Sequence, residues 1–135
     1  MLKTPFGVKL AGLGTSTPSK VVSNSDLESI LDTNDDWIKS RTGISERRVC
    51  DTEKGEDCLT LSVEAAKQAL GSFPPEDLDL IIVATSTPDF LYPSVSCRLQ
   101  NALGAKNVMA FDLSAACTGF IFALVTASQF VQLGT

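Results

Sequence analysis

Two groups of residues in this sequence are placed to do chemistry. The first centres on Cys117, within Leu113-Ser114-Ala115-Ala116-Cys117-Thr118-Gly119-Phe120. The segment Val108–Leu113 predicts a strand and the residues from Gly119 onward predict a helix, so the cysteine falls at a strand-to-helix elbow. A helix N-terminus directs unpaired N–H groups and partial positive charge at the residue before it. That setting favours the thiolate, the attacking form of the thiol, and the same N–H groups are suited to an oxyanion formed during acyl transfer. The small neighbours Ser114, Ala115, Ala116 and Gly119 leave room for a thioester to approach. A buried structural cysteine is the ordinary alternative, and Cys50, Cys58 and Cys97, which lack this setting, are read that way. The second group lies in Thr33-Asn34-Asp35-Asp36-Trp37-Ile38-Lys39-Ser40-Arg41-Thr42-Gly43-Ile44. If this stretch is helical, Trp37 and Arg41 share a face. An indole can stack on a purine and a guanidinium can hold phosphate oxygens. The competing reading is a surface cation–π pair with no ligand.

The elements that would position these groups alternate between strand-like and helix-like, which predicts an α/β domain with a mainly parallel sheet. Val8–Leu13 reads as a first strand. Ser23 followed by Asp26 resembles a capping box for a helix burying Leu27, Ile30 and Leu31. A short helix is expected from Asp35 to about Ser40, stopping near Gly43, and residues 49–57 read as a loop. Leu59, Val63, Ala66 and Leu70 share one helical face, with Gly71 at the end and Pro74-Pro75 preventing continuation. Leu80-Ile81-Ile82-Val83-Ala84, apolar on both faces, reads as a central strand. Val95, Leu99 and Leu103 mark another helix ended by Gly104. The last helix, Gly119 to Leu133, is apolar nearly all round and is expected to be covered on every side.

Composition narrows the function classes. The chain has 135 residues, 44% of them hydrophobic, and a net charge of −5. One domain with a real core fits that length. No basic block exists to neutralise phosphates, so nucleic acid is not an expected partner. The apolar run at the end is shorter than the ~20 residues a membrane span needs, so a buried helix and no membrane are expected. The start of the chain is too short and interrupted for a secretory signal, and a soluble cytoplasmic protein with free thiols is expected. There is no histidine and no Cys-x-x-Cys, which leaves no expected metal site. Gly12-Leu13-Gly14 lacks the third glycine of a dinucleotide fingerprint, since position 17 is Thr and Pro18 follows. No carboxylate pair has a glycosidase-like setting.

Taken together, the two groups resemble β-ketoacyl-(acyl carrier protein) synthase III of the thiolase superfamily. The matching residues are Gly12-Leu13-Gly14 with Pro18, Asn24-Ser25-Asp26-Leu27, Asp35-Asp36-Trp37-Ile38, Arg41-Thr42-Gly43-Ile44 and Glu46-Arg47-Arg48. They continue through Ile82-Val83-Ala84-Thr85 and Pro93-Ser94 to Ala110-Phe111-Asp112-Leu113-Ser114-Ala115-Ala116-Cys117-Thr118-Gly119-Phe120. The likeness is collinear over essentially the whole chain.

The resemblance implies the first half of a pseudo-duplicated, layered αβαβα thiolase-like fold, with residues 1–135 as an incomplete amino-terminal domain. It implies Cys117 as the residue acylated from an acyl-coenzyme A, often acetyl, followed by decarboxylative condensation with malonyl on acyl carrier protein. The coenzyme A thioester enters as substrate, with no cofactor. The resemblance further implies Trp37 as the residue stacking on the coenzyme A adenine, with Thr33, Arg41 and Thr42 at the same mouth. It implies a homodimer in which Tyr92 reaches the partner's acyl pocket. The family's His and Asn, which stabilise the enolate made by decarboxylation, lie in its second half. This chain has no His, so the isolated chain is expected not to condense unless that half is supplied separately. Two other readings stand beside this one: a related polyketide- or quinolone-type condensing enzyme, and a non-catalytic half-domain that docks through its apolar surface.

Overall fold

In a computed structural model, residues 7–134 are described. They form two compact units, residues 7–15 with 58–134, and residues 16–57. The smaller unit is built on an antiparallel strand pair, β1 (Lys20–Ser23) and β2 (Glu46–Val49), in register from Lys20 opposite Val49 to Ser23 opposite Glu46. Between the strands run α1 (Asn24–Glu28) and α2 (Asp35–Thr42). The capping box is present: the Ser23 hydroxyl accepts from the Asp26 N–H, and the Asp26 carboxylate accepts from the Ser23 N–H. Asn34 caps α2 by accepting from the Trp37 N–H at 2.8 Å, and Gly43 ends the helix in the left-handed region. Neither strand was expected. In the sequence, residues 20–22 carry no assigned element, Ser23 reads as a helix cap, and the charged Glu46-Arg47-Arg48 has little strand character of its own.

The larger unit carries the parallel pair β3 (Leu80–Ala84) and β4 (Met109–Leu113), with Leu80 opposite Met109 and Ala84 opposite Leu113. A parallel pair needs a crossover, supplied here by α4 (Val95–Leu103). Ile81, Leu99 and Ala105 form the core, and Leu59, Val63, Leu78, Val83, Val108 and Ala110 pack around it. Leu59 and Val63 come from α3 (Cys58–Leu70). The Asp112 carboxylate of β4 accepts the Val95 and Ser96 N–H groups at 2.9 and 2.8 Å, fastening the first turn of α4 to the sheet. The expectation of a mainly parallel sheet therefore holds for β3–β4, while β1–β2 is antiparallel.

The helix after Ser23 ends at Glu28, and Ile30 and Leu31 beyond it are exposed, not buried as expected. Two further expectations are corrected. Val8–Leu13 is not a strand, and no described strand pairs with it. It runs instead along α3, where Gly12 and Gly14 allow the closest approach. A Cβ at Gly12 would collide with the Ala69 carbonyl, and one at Gly14 with the Ala65 carbonyl. The Thr15 N–H then donates to Gln68 Oε1 at 3.2 Å. Secondly, α5 (Gly119–Leu133) is not covered all round. One side meets β3, but Phe120, Ile121, Phe122 and Val125 are more than half exposed. An open apolar cleft of about 720 Å³ runs between β3 and α5, lined by Ile82, Phe120, Leu124 and Phe130 among others. By length and composition alone, residues 116–133 would suffice to cross a membrane. Only the part from Gly119 is α-helix, however, and its 15 residues reach roughly 22 Å at 1.5 Å per residue, short of a ~30 Å hydrocarbon core.

Candidate functional site

Cys117 sits in a single 3₁₀ turn, Ala116–Thr118, between the end of β4 and the start of α5. Ala116 holds φ +45°, a left-handed conformation unusual for a residue with a side chain. That bend reverses the chain immediately before the thiol and leaves Cys117 exposed and free. Thr118 closes the turn, its hydroxyl and its N–H both donating to the Ala115 carbonyl, at 2.8 and 3.1 Å. Gly119 is buried. A Cβ there would stand 3.2 Å from the Ala84 Cβ, so glycine lets the first turn of α5 lie against the end of β3. The strand–turn–helix elbow expected around the cysteine is thus present.

On the same end of the β3–β4 pair, a cavity of about 750 Å³ is lined by Thr85, Leu91, Tyr92, Ser94, Phe111 and Ser114. Ser114 opens the segment that leads to Cys117. Tyr92 is 89% exposed, at the tip of a loop tied back by Arg98. That guanidinium lies 5.0 Å from the Phe90 ring centre and 3.4 Å from the Asp89 carboxylate.

The other candidate residues belong to the unit formed by 16–57. Arg41 lies over the Trp37 ring with its Cζ 4.6 Å from the centroid, and the indole is half exposed, so one face of the helix presents a stacked aromatic and cation. The Thr42 hydroxyl is committed within the chain: it donates to the Ile38 carbonyl at 2.8 Å and accepts from the Ile44 N–H at 3.1 Å. The Thr33 hydroxyl oxygen is buried without a hydrogen-bond partner. Thr33, Trp37, Arg41 and Thr42 therefore cluster on and beside α2, while Cys117 and Tyr92 sit in the other unit. Asp35 opens α2, and its carboxyl is held below the usual range by hydrogen bonds from Lys39 and then Asn24. Among the described residues no cluster of His, Cys, Asp and Glu is suited to a metal ion.

This frame has close counterparts. The chain is 52% identical to β-ketoacyl-(acyl carrier protein) synthase III 1 of Bacillus anthracis over 132 residues, covering 96% of this chain and 42% of that protein. The chain is a homologue of β-ketoacyl-(acyl carrier protein) synthase III. The solved synthase III of Aquifex aeolicus superposes with a TM-score of 0.89 at 48% identity, over 95% of this chain and 41% of that one. The priming β-ketosynthase of the R1128 polyketide pathway gives 0.90 at 34% identity, over 98% and 40%. The fold is accordingly the thiolase-like α/β fold of these condensing enzymes. The chain spans about two fifths of the length of the synthase III relatives it matches. No family model matches it.

One buried group went unassigned in the sequence. Asn24 and Arg47 fell inside matched strings without a role, and in the structure they meet beneath α2. The available signal was an asparagine just after a helix cap, at the helix start, where a solvent-exposed side chain would be ordinary.

Proposed function

We propose that this chain carries the acyl-accepting part of a β-ketoacyl-(acyl carrier protein) synthase III that starts fatty-acid chains in the cytoplasm. The observation that carries this reading is Cys117 at its elbow, exposed behind a left-handed Ala116, in a chain about half identical to synthase III enzymes. The Cys117 sulfur, as thiolate, attacks the carbonyl carbon of an acyl-coenzyme A, most simply acetyl. The carbonyl π electrons move to oxygen, where N–H groups at the start of α5 would meet the oxyanion. Collapse breaks the C–S bond to coenzyme A, which leaves as thiolate and takes up the proton that the cysteine gave up. The product is acyl-S-Cys117.

In the second half-reaction, malonyl on acyl carrier protein loses CO₂. The resulting enolate carbon attacks the acyl-Cys117 carbonyl and releases the cysteine thiolate. The chain contains no histidine, so a His that steadies this enolate must come from outside these residues. Trp37 stacks on the adenine, and Arg41 faces the phosphates, with Thr33 and Thr42 beside them. Tyr92, exposed on its loop, serves a homodimer by reaching the partner's acyl pocket. A second reading, a priming enzyme of polyketide synthesis, is favoured by the likeness to the R1128 ketosynthase. A panel of acyl-coenzyme A lengths separates the two.

The test is intact mass after incubation with acetyl-coenzyme A. One acetyl adduct is expected on the wild-type chain and none on Cys117→Ala. An adduct that persists in Cys117→Ala would overturn the assignment of the nucleophile.

A further inference from the structure

Asn24 is 1% exposed, and each polar atom of its side chain is in use. Its amide nitrogen donates to Asp35 Oδ1 and to the Ile44 carbonyl, both at 2.8 Å. Its carbonyl oxygen accepts from Arg47 Nη2 at 2.8 Å, and its backbone N–H donates to the Ser45 carbonyl at 3.1 Å. Arg47 in turn reaches the Val22 carbonyl at 3.2 Å. Asp35 is the first residue of α2 and Ile44 follows the Gly43 that ends it. One buried carboxamide therefore grips both ends of this helix and ties them to the β1–β2 pair.

The helix needs that grip. Eight residues are too few for a helix to hold itself in water. Of these eight, only Ile38 is buried, so apolar packing fixes neither its roll nor its shift along its axis. Trp37 and Arg41 stand on its outer face, and their pose is whatever the ends of the helix dictate. With no atom of its amide left over, Asn24 acts on a ligand only through α2.

We propose that Asn24 is a positioning residue for coenzyme A, setting the pose of α2 in which Trp37 and Arg41 receive the nucleotide. This rests on the reading of Trp37 and Arg41 given above. A residue that merely filled space would tolerate an isosteric replacement. Asn24→Asp keeps the shape but puts a carboxylate against the Asp35 carboxylate and the Ile44 carbonyl.

Trp37 is the only tryptophan, so its emission reports this pose directly. The full chain is titrated with coenzyme A at a temperature well below unfolding, with far-UV circular dichroism as the check on folding. For the wild type, saturable quenching is expected. For Asn24→Asp, an emission shift before any ligand is added is expected, with binding weaker by about tenfold or more at unchanged helix content. Asn24→Asp combined with Asp35→Asn restores a donor facing an acceptor and should recover part of the affinity. Unchanged emission and affinity in Asn24→Asp would overturn the role of Asn24 and leave the nucleotide reading standing. So would a loss that merely tracks lost helix content and is not relieved by the swap. Absence of saturable quenching in the wild type would remove both.

Discussion

The two units hold their candidate residues by opposite means. Cys117 is carried on a frame of apolar contacts and close main-chain approach: Ile81, Leu99 and Ala105 at the core, glycines against α3, and a turn closed by the backbone of Ala115. Trp37 and Arg41 are carried on a frame with hardly any apolar core, where Ile38 and Asn24 are the buried residues named between 16 and 57. Ionised and amide side chains do the fastening there: Asp26 on Ser23, Glu56 on Ser19 and Asp51, Asn24 on Asp35. The proposed nucleophile would have to be placed within tenths of an ångström of a carbonyl, and rigid packing suits that. The proposed stacking platform tolerates more play, and directional polar bonds suffice to orient it.

The sharpest way to break this contrast is to push a methyl group into the close approach. Gly14→Ala sets a Cβ against the Ala65 carbonyl and the Ala69 backbone, so α3 or the segment 12–15 must move. A loss of about 3 kcal/mol is expected, at the upper end of the cost of overpacking, read from the denaturant midpoint. A loss below about 0.5 kcal/mol would mean that the segment is not held against α3. Asp112→Asn is next. It removes the charge from a carboxylate that accepts two N–H groups of α4, and a loss of about 1–2 kcal/mol is expected by the same measurement. This is the larger unit's one polar anchor of that kind among the contacts described above, so a neutral outcome would make its frame still more purely apolar.

Much of the larger unit was legible because its signals are local. A five-residue apolar run, a heptad-like face on α3 and a glycine at each helix end need no knowledge of distant partners. The elbow at Cys117 was legible for the same reason, although the left-handed Ala116 was not, since alanine carries no mark of that conformation. The misreadings came where partners decide. Val8–Leu13 is a mostly apolar run of strand length, yet the same extended shape serves a segment laid along a helix. The β1–β2 pair joins residues far apart in sequence, and its charged strand has nothing intrinsic to announce it. Asn24 acquires its role from Asp35, Ile44 and Arg47, none of them near it in the chain. For α5, composition alone called for cover on every side, whereas the described residues cover one.

The mildest test exploits acid, which should reach the polar frame first. Asp26, Asp35 and Glu56 all have their carboxyls held below the usual range, and all three lie between residues 16 and 57. The chief causes are the Ser23 hydroxyl for Asp26, Lys39 for Asp35 and the Asp51 N–H for Glu56. A carboxyl whose folded value is depressed binds its proton less readily folded than unfolded. Its contribution is therefore complete above the ordinary values of 3.8 and 4.5, and disappears as pH falls through the lower folded values. All three are solvent-facing, so each contribution is small and weakened by salt. The expected outcome is that, on lowering the pH from 5 toward 3, amide hydrogen exchange in 19–57 accelerates relative to β3 and α4 beyond the intrinsic chemical change. Glu56→Gln should flatten that dependence around Ser19 and Asp51 while leaving the response near Asp35 intact. Equal loss of protection in both units would mean that the polar frame is not the acid-sensitive one, and that the two frames differ in composition without differing in response.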